Sequence, residues 1–89
     1  EELMPVIIKK DGRRETYNRD KIQNGIVKSC QKRPVTQDQI ENLVNKIERQ
    51  IRIIGVKEIP SRMVGEMLMK GLHELDPVAY VRFAAVYRE

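Results

Sequence analysis

The chain has 89 residues, enough for one domain with a single hydrophobic core, and 40% of them are hydrophobic. Its formal net charge of +4 admits nucleic acid, an anionic surface or a phosphorylated small ligand as partner, and its one cysteine, Cys30, excludes an internal disulfide or a cysteine-built zinc site. No run is long enough to cross a bilayer and no apolar N-terminal signal is present, so we expect a cytoplasmic chain with no membrane partner.

The chain opens with a predicted β-hairpin. Residues 1–5 are expected to be a linker remnant, and the patterned domain is expected to cover 6–88. Val6, Ile7 and Ile8 are β-branched and consecutive, which favours a strand. The Asp11-Gly12 pair that follows is typical of a tight hairpin turn. A second strand is therefore predicted over roughly 13–17.

The first helix is predicted from Arg19 to Gln31, with Asn18 as its N-cap. Its apolar stripe comprises Ile22, Ile26, Val27 and Cys30. Gly25 lies within the helix at a cost of about 1 kcal/mol relative to alanine, which calls for a reason such as the close approach of another helix or a ligand. Lys32-Arg33-Pro34 is expected to break the helix, and Cys30 is expected in the core.

The second helix has the most regular pattern in the chain. Thr36 and Gln39 have the spacing of a capping box at its start, and Gly55 is predicted to end it. The inward stripe is Ile40, Leu43, Val44, Ile47, Ile51 and Ile54. The charged residues of the other face are expected to be solvated: Glu41, Lys46, Glu48, Arg49 and Arg52.

A short third strand is predicted over 56–59, followed by two more helices. The third helix starts at Pro60-Ser61 and directs inward Met63, Val64, Met67, Leu68, Leu72 and Leu75. His73 is expected at the surface, and no metal site is implied. Asp76-Pro77 is typical of a cap followed by a new helix. This fourth helix carries Val78, Val81, Ala84 and Ala85, together with Tyr80, Phe83 and Tyr87.

The three rings of the fourth helix have two interpretations: a core seam, or an aromatic contact to a base or to a second copy of the domain. The elements together predict an α+β fold, in which a four-helix bundle is capped by a small β-sheet made of the β-hairpin and the short third strand.

Six cations crowd the hairpin turn and the start of the first helix: Lys9, Lys10, Arg13, Arg14, Arg19 and Lys21. Cations near free N–H groups at a helix start favour a phosphate. Glu15 is the one acid on the second strand and can accept from a base amino group or a ribose hydroxyl. The alternative is a solvated basic hairpin in which Glu15 pairs with a neighbouring arginine. No nucleophile–base pair and no Walker-type loop is present, so we expect no enzyme.

Several separate stretches resemble one known family. The apolar run with Lys9-Lys10-Asp11-Gly12, followed by Glu15, Tyr17, Asn18 and Asp20-Lys21-Ile22, resembles the opening of an ATP-cone domain. Residues 75–88, from Leu-Asp-Pro-Val to Val-Tyr-Arg, are similar to the ending of the ATP-cone in bacterial transcriptional repressors of ribonucleotide reductase genes, and Lys32-Arg33-Pro34-Val35 resembles the same proteins. The resemblance covers about residues 4–88.

The resemblance implies ATP or dATP as a regulatory ligand lying under the hairpin against the first helix. It places the phosphates on Lys9, Lys10 and Lys21. It places the base and sugar among Ile7, Glu15, Thr16, Tyr17, Asn18 and Ile22. A further contact set matches Pro60, Ser61 and Val64 at the start of the third helix.

The resemblance also implies a mode of regulation, in which ATP and dATP bias how copies of the domain pack, and through this self-association whether an attached DNA-binding part is correctly spaced. The repressors carry that part as an N-terminal cysteine-rich zinc ribbon, which this chain lacks. We therefore expect a truncated piece of such a repressor, with zinc and specific DNA binding only in the absent ribbon. The alternatives are the regulatory cone of a ribonucleotide reductase, and a basic helical module that binds nucleic acid with steep salt dependence.

Overall fold

The structure is a computed structural model, and it describes residues 4–87. In chain order its elements are β1 (Val6–Ile8), β2 (Arg14–Glu15), α1 (Arg19–Ser29), α2 (Gln37–Ile54), β3 (Glu58–Pro60), α3 (Ser61–Leu75) and α4 (Pro77–Tyr87). Four helices and one small sheet confirm the predicted α+β class. None of the helices in the described part is long and apolar enough to cross a membrane.

The sheet is three-stranded and mixed, in the order β2-β1-β3. β1 runs antiparallel to β2, with Ile7 opposite Glu15, and parallel to β3, with Ile7 opposite Ile59. The predicted hairpin is present, and Gly12 takes the left-handed φ of +91° that its turn needs. β2 covers 14–15 rather than 13–17, while Asn18 caps α1 as predicted. β3 covers 58–60 rather than 56–59.

The N-terminal segment that the sequence assigns to a linker is partly packed. Pro5 is buried and Met4 lies against the core, and the Val6 N–H donates to the Lys57 carbonyl oxygen at 2.9 Å. Residues 1–3 of the predicted linker lie outside the described residues. The domain boundary at residue 6 stays a prediction, although the packed structure begins at least as early as Met4.

The first helix ends at Ser29, two residues earlier than predicted. The Cys30 N–H donates to the Ile26 carbonyl oxygen at 3.0 Å, and Lys32 adopts a left-handed φ of +62°, which stops helical propagation. The predicted core position of Cys30 is confirmed. Burial, and then the negative charge of Asp76, raise the pKa of the Cys30 thiol.

The second helix follows its prediction closely, with two corrections. The Thr36–Gln39 capping box is present in both directions, and Gly55 ends the helix at a left-handed φ of +73°. Ile54, assigned to the inward stripe, is 39% exposed because it lies in the last turn beyond the core. Glu48, assigned to the solvated face, is only 8% exposed because it binds residues of the β2–α1 connection.

The third and fourth helices pack against each other. Met63 of α3 is exposed, so its predicted inward position is wrong. The rotation of α4 about its axis divides its apolar residues. Val78, Val81 and Ala85 are exposed, whereas Ala79, Tyr80 and Phe83 pack toward the core and Tyr87 lines a groove.

The junction between α3 and α4 is fixed by charge. The Asp76 carboxylate accepts from Arg33 Nε at 2.9 Å and Nη2 at 3.1 Å, and from the Ala79 N–H at 2.9 Å. The predicted cap is therefore confirmed. The Arg33 hydrogen bond holds the pKa of Asp76 below its ordinary value. The pair ties the α1–α2 connection to the start of α4.

Candidate functional site

A groove of about 430 Å³ opens between the β-hairpin, α1, the start of α3 and the end of α4. Ten of the twelve residues that the family resemblance suggested line it: Ile7, Lys9, Glu15, Thr16, Tyr17, Asn18, Lys21, Ile22, Ser61 and Val64. The remaining two, Lys10 and Pro60, line an adjacent groove of about 620 Å³. Lys9 and Ser61 contribute to both grooves.

Two lysines and one acid that line the first groove form a charged cluster. Lys21 Nζ donates to Glu15 Oε1 at 3.2 Å, and Lys9 Nζ lies 4.0 Å from the same oxygen. The hydrogen bond from Lys21, followed by the positive charges of Lys21 and Lys9, holds the pKa of Glu15 below its ordinary value. The alternative interpretation expected Glu15 to pair with an arginine, whereas in the structure it pairs with two lysines.

The start of α1 is less open than the sequence suggested. The Asn18 side-chain oxygen accepts from the N–H groups of Asp20 at 3.0 Å and Lys21 at 3.3 Å. The expectation of free N–H groups for a phosphate is corrected at these two positions, because the predicted cap itself uses them. Positive charge toward the groove therefore comes from lysine side chains more than from the helix terminus.

The arginines of the hairpin region are paired with acids. Arg13 binds the Asp11 side chain, with Nε donating to Oδ2 at 2.8 Å, and Arg14 binds Glu58 on β3. Arg19 donates to Glu48 at 2.8 Å. The six predicted cations therefore divide into three paired arginines and three lysines at the two grooves, Lys9, Lys10 and Lys21.

The first groove also has an apolar and aromatic wall, whose residues were not among the predicted site residues. They are Gly25, Gly65, Leu68, Phe83, Val86 and Tyr87. The three-ring pattern of α4 was the sequence signal for this wall, but it did not show which rings face the groove. Phe83 and Tyr87 do, whereas Tyr80 makes an edge contact with the exposed His73, at a centroid distance of 4.9 Å.

The Tyr87 ring separates the two grooves. It stacks on Phe83 with 5.9 Å between ring centroids, and its hydroxyl donates to the Arg62 carbonyl oxygen at 2.8 Å. A Cβ at Gly65 would lie 2.1 Å from Tyr87 Cε1, so this ring position requires the glycine. Tyr87 lines the adjacent groove as well.

Tyr17 connects the first groove to α2. Its hydroxyl donates to Glu48 Oε2 at 2.7 Å. Burial, and then the hydrogen bond to the Glu48 carboxylate, raise the pKa of Tyr17 well above its ordinary value, so it stays protonated at neutral pH. Within residues 4–87, no group of three or more His, Cys, Asp or Glu side chains is arranged to hold a metal ion.

A groove lined by lysines and aromatic rings, on a hairpin-capped bundle of four helices, is typical of a small ligand-binding domain. Residues 5–89 match the ATP cone domain, and the chain belongs to the ATP-cone family. The ATP cone is a regulatory domain and not a catalytic one, which confirms the expectation of no enzymatic activity.

The chain is also similar to several proteins named transcriptional repressor NrdR. It is 59% identical over 88 residues to the one from Myxococcus xanthus, covering 99% of this chain and 52% of the relative. The corresponding protein of Geotalea uraniireducens is 56% identical, covering 99% of this chain and 59% of the relative. That of Thermotoga neapolitana is 54% identical, covering 100% and 57%. The chain thus spans a little over half the length of these relatives.

Proposed function

We propose that this chain is the nucleotide-sensing domain of a bacterial transcriptional repressor of ribonucleotide reductase genes, and that ATP or dATP binds in the first groove. The observation that carries the proposal is the mixed lining of the groove. Lys9 and Lys21 line the same groove as the rings of Phe83 and Tyr87, which suits a nucleotide with its phosphates on the lysines and its base beside the rings. The family match and the repressor relatives support the same assignment.

In this proposal the phosphates compete with Glu15 for the two lysines. Glu15 already holds Lys21 at 3.2 Å and Lys9 at 4.0 Å, so the ammonium groups are gathered at one place before a ligand arrives. A triphosphate carries more negative charge than one carboxylate and takes over these contacts, which leaves Glu15 to accept from a ribose hydroxyl. The nucleotide is bound and released without cleavage.

The regulatory output would be self-association. Nucleotide binding shifts how copies of the domain pack only if the ligand favours one assembly over another. DNA binding and zinc would then belong to a separate N-terminal ribbon in the cytoplasmic repressor, and these 89 residues would bind operator DNA poorly. Light scattering of the chain with ATP and with dATP tests the self-association, and a ligand-independent mass would contradict it.

Calorimetric titration of the chain with ATP and with dATP at physiological salt tests the proposed ligand. The test variant is Lys9→Ala, Lys21→Ala, and the control is Lys28→Ala, Lys70→Ala, which makes the same charge change at exposed positions outside both grooves. Two lysine–phosphate contacts are together worth about 2 kcal/mol, so the test variant should weaken binding about 30-fold. The control should bind within about twofold of the unmodified chain, since surface charges far from a ligand are screened.

Two results would overturn the proposed ligand. One is binding of neither nucleotide, and the other is an equal loss of nucleotide affinity in both double variants. Tight binding of oligonucleotides that ignores base identity and falls steeply with salt would instead support the basic nucleic-acid module. That alternative is disfavoured by the pairing of Arg13, Arg14 and Arg19 with acids, which leaves fewer cations for a phosphate backbone.

A further inference from the structure

Glu48 is a buried acid outside both grooves. It lies on α2 at 8% exposure, on a helix whose other acids, Asp38 and Glu41, are exposed. Its Oε2 accepts from the Tyr17 hydroxyl at 2.7 Å, and its Oε1 accepts from Arg19 Nη1 at 2.8 Å. Arg52, one turn along α2, lies 3.6 Å from Oε1.

A buried carboxylate needs partners that offset its loss of hydration. Removing a charge from water is costly unless the charge is paired and hydrogen-bonded. Here both oxygens of Glu48 are used, and the partners Tyr17 and Arg19 stand on either side of the Asn18 cap. One side chain of α2 therefore binds the residues on both sides of the α1 cap.

The same connection forms part of the groove wall. Tyr17 and Asn18 line the groove, and Lys21 follows one helical turn later. The Glu48 carboxylate is thus the acceptor for the hydroxyl of a ring that lines the groove. Tyr17 contributes an aromatic surface to the groove, whereas the charged contacts are made by Lys9 and Lys21.

We propose that Glu48 is a positioning residue for the nucleotide groove, which holds the Tyr17 ring where it contacts the nucleoside part of the ligand. Glu48 touches no ligand itself and acts through the Tyr17 hydroxyl. It also makes the shape of the groove depend on α2, a helix that contributes no residue to the groove lining. This inference rests on the proposed function, since it is read out through nucleotide affinity.

The test compares ATP with inorganic tripolyphosphate, which carries the phosphates without the nucleoside. The variants are Glu48→Ala, which removes the acceptor, Tyr17→Phe, which removes the donor but keeps the ring, and Glu41→Ala, an exposed acid on the same helix, as control. Losing a charge-assisted hydrogen bond that orients a ligand-contacting ring should weaken ATP binding about tenfold in Glu48→Ala and about fivefold in Tyr17→Phe.

Two further readouts separate positioning from a merely structural role. Tripolyphosphate should bind both variants within about twofold of the unmodified chain, since the lysines are unchanged. In the Tyr17→Phe background, Glu48→Ala should cost less than it does alone, because the two changes remove the same hydrogen bond. A structural role alone would lower the melting temperature and leave the ratio of the two affinities as it was.

The outcomes are distinguishable. ATP affinity that is unchanged in folded Glu48→Ala and Tyr17→Phe, or that falls in parallel with tripolyphosphate affinity, would overturn the inference while leaving the proposed function standing. If the unmodified chain binds no ATP, the proposed function fails and the inference fails with it. If Glu48→Ala does not fold, Tyr17→Phe decides, because it keeps the ring and the acid: a selective loss for ATP supports the inference, and no loss overturns it.

Discussion

Gly25 lies in the middle of α1 and lines the groove, and replacing it with alanine should separate stability from binding. Within residues 4–87, a Cβ added there would contact Phe83 Cε1 alone, at 3.9 Å, which is ordinary van der Waals contact. Alanine is favoured over glycine in a helix interior by about 1 kcal/mol. Gly25→Ala should therefore stabilise the fold by roughly that amount, or about 5 °C in melting temperature for a domain of this size.

The same methyl group should weaken the proposed ligand. It would enter the groove beside Phe83, where the proposal places the base, and overfilling a packed site costs about 1 kcal/mol. ATP affinity should fall about fivefold in the more stable variant. A loss of ATP affinity on substitution would explain why α1 has a glycine at this position although alanine would make the helix more stable.

Gly71→Ala is the matched control, since Gly71 is also interior to a helix, α3, but lies outside both grooves. A Cβ there would lie 2.3 Å from Leu43 Cδ1, and Leu43 is buried. The overpacking cost of about 1–3 kcal/mol exceeds the propensity gain, so this variant should be destabilised. Thermal melts by circular dichroism and ATP titration measure both effects. A Gly25→Ala variant that melts lower than the unmodified chain would refute the geometric argument, and one that binds ATP unchanged would refute the placement of the base.

Thr36→Ala removes the capping box of α2 and should cost about 1 kcal/mol, measured by urea unfolding; an unchanged midpoint would show that the cap contributes nothing. Leu72→Ala removes a fully buried side chain and should cost about 2–5 kcal/mol in the same assay, with a smaller loss contradicting the assigned core. The hydrogen bond from Arg33 lowers the pKa of Asp76 in the folded state. The contribution of Asp76 to the free energy of unfolding is therefore fully present above about pH 4 and is lost as pH falls through the lowered folded pKa. Melting temperature should therefore fall below pH 4, and less steeply in Asp76→Asn; equal pH dependence in both would count against this pair as the cause.

The fold was predictable wherever one local signal acted alone. The Thr36–Gln39 box and Gly55 set the ends of α2, and Asp11-Gly12 set the hairpin, because each depends on residues within one turn of the chain. The rotation of α4 was not predictable in this way. Val81 and Ala85 are as apolar as Ala79, and only packing against α1 and α3 decides which of them is covered.

The candidate site shows the same division. The family resemblance named ten residues that the fold brings to one groove. Glu48 was assigned to the solvated face because its neighbours in sequence are charged, and its partners Tyr17 and Arg19 are 31 and 29 residues away. A pattern read within one helix carries no information about a partner contributed by another element.

The transition from β3 to α3 has no loop, since Pro60 ends the strand and Ser61 begins the helix. The register of the sheet therefore also sets the rotational phase of α3. Each residue of an α-helix turns by about 100°, so a slip of β3 by one position against β1 would rotate Leu68 and Leu72 away from the core by that angle. Strand pairing and helix packing can only be correct together, so a strand of three residues sets the rotation of the helix that follows it.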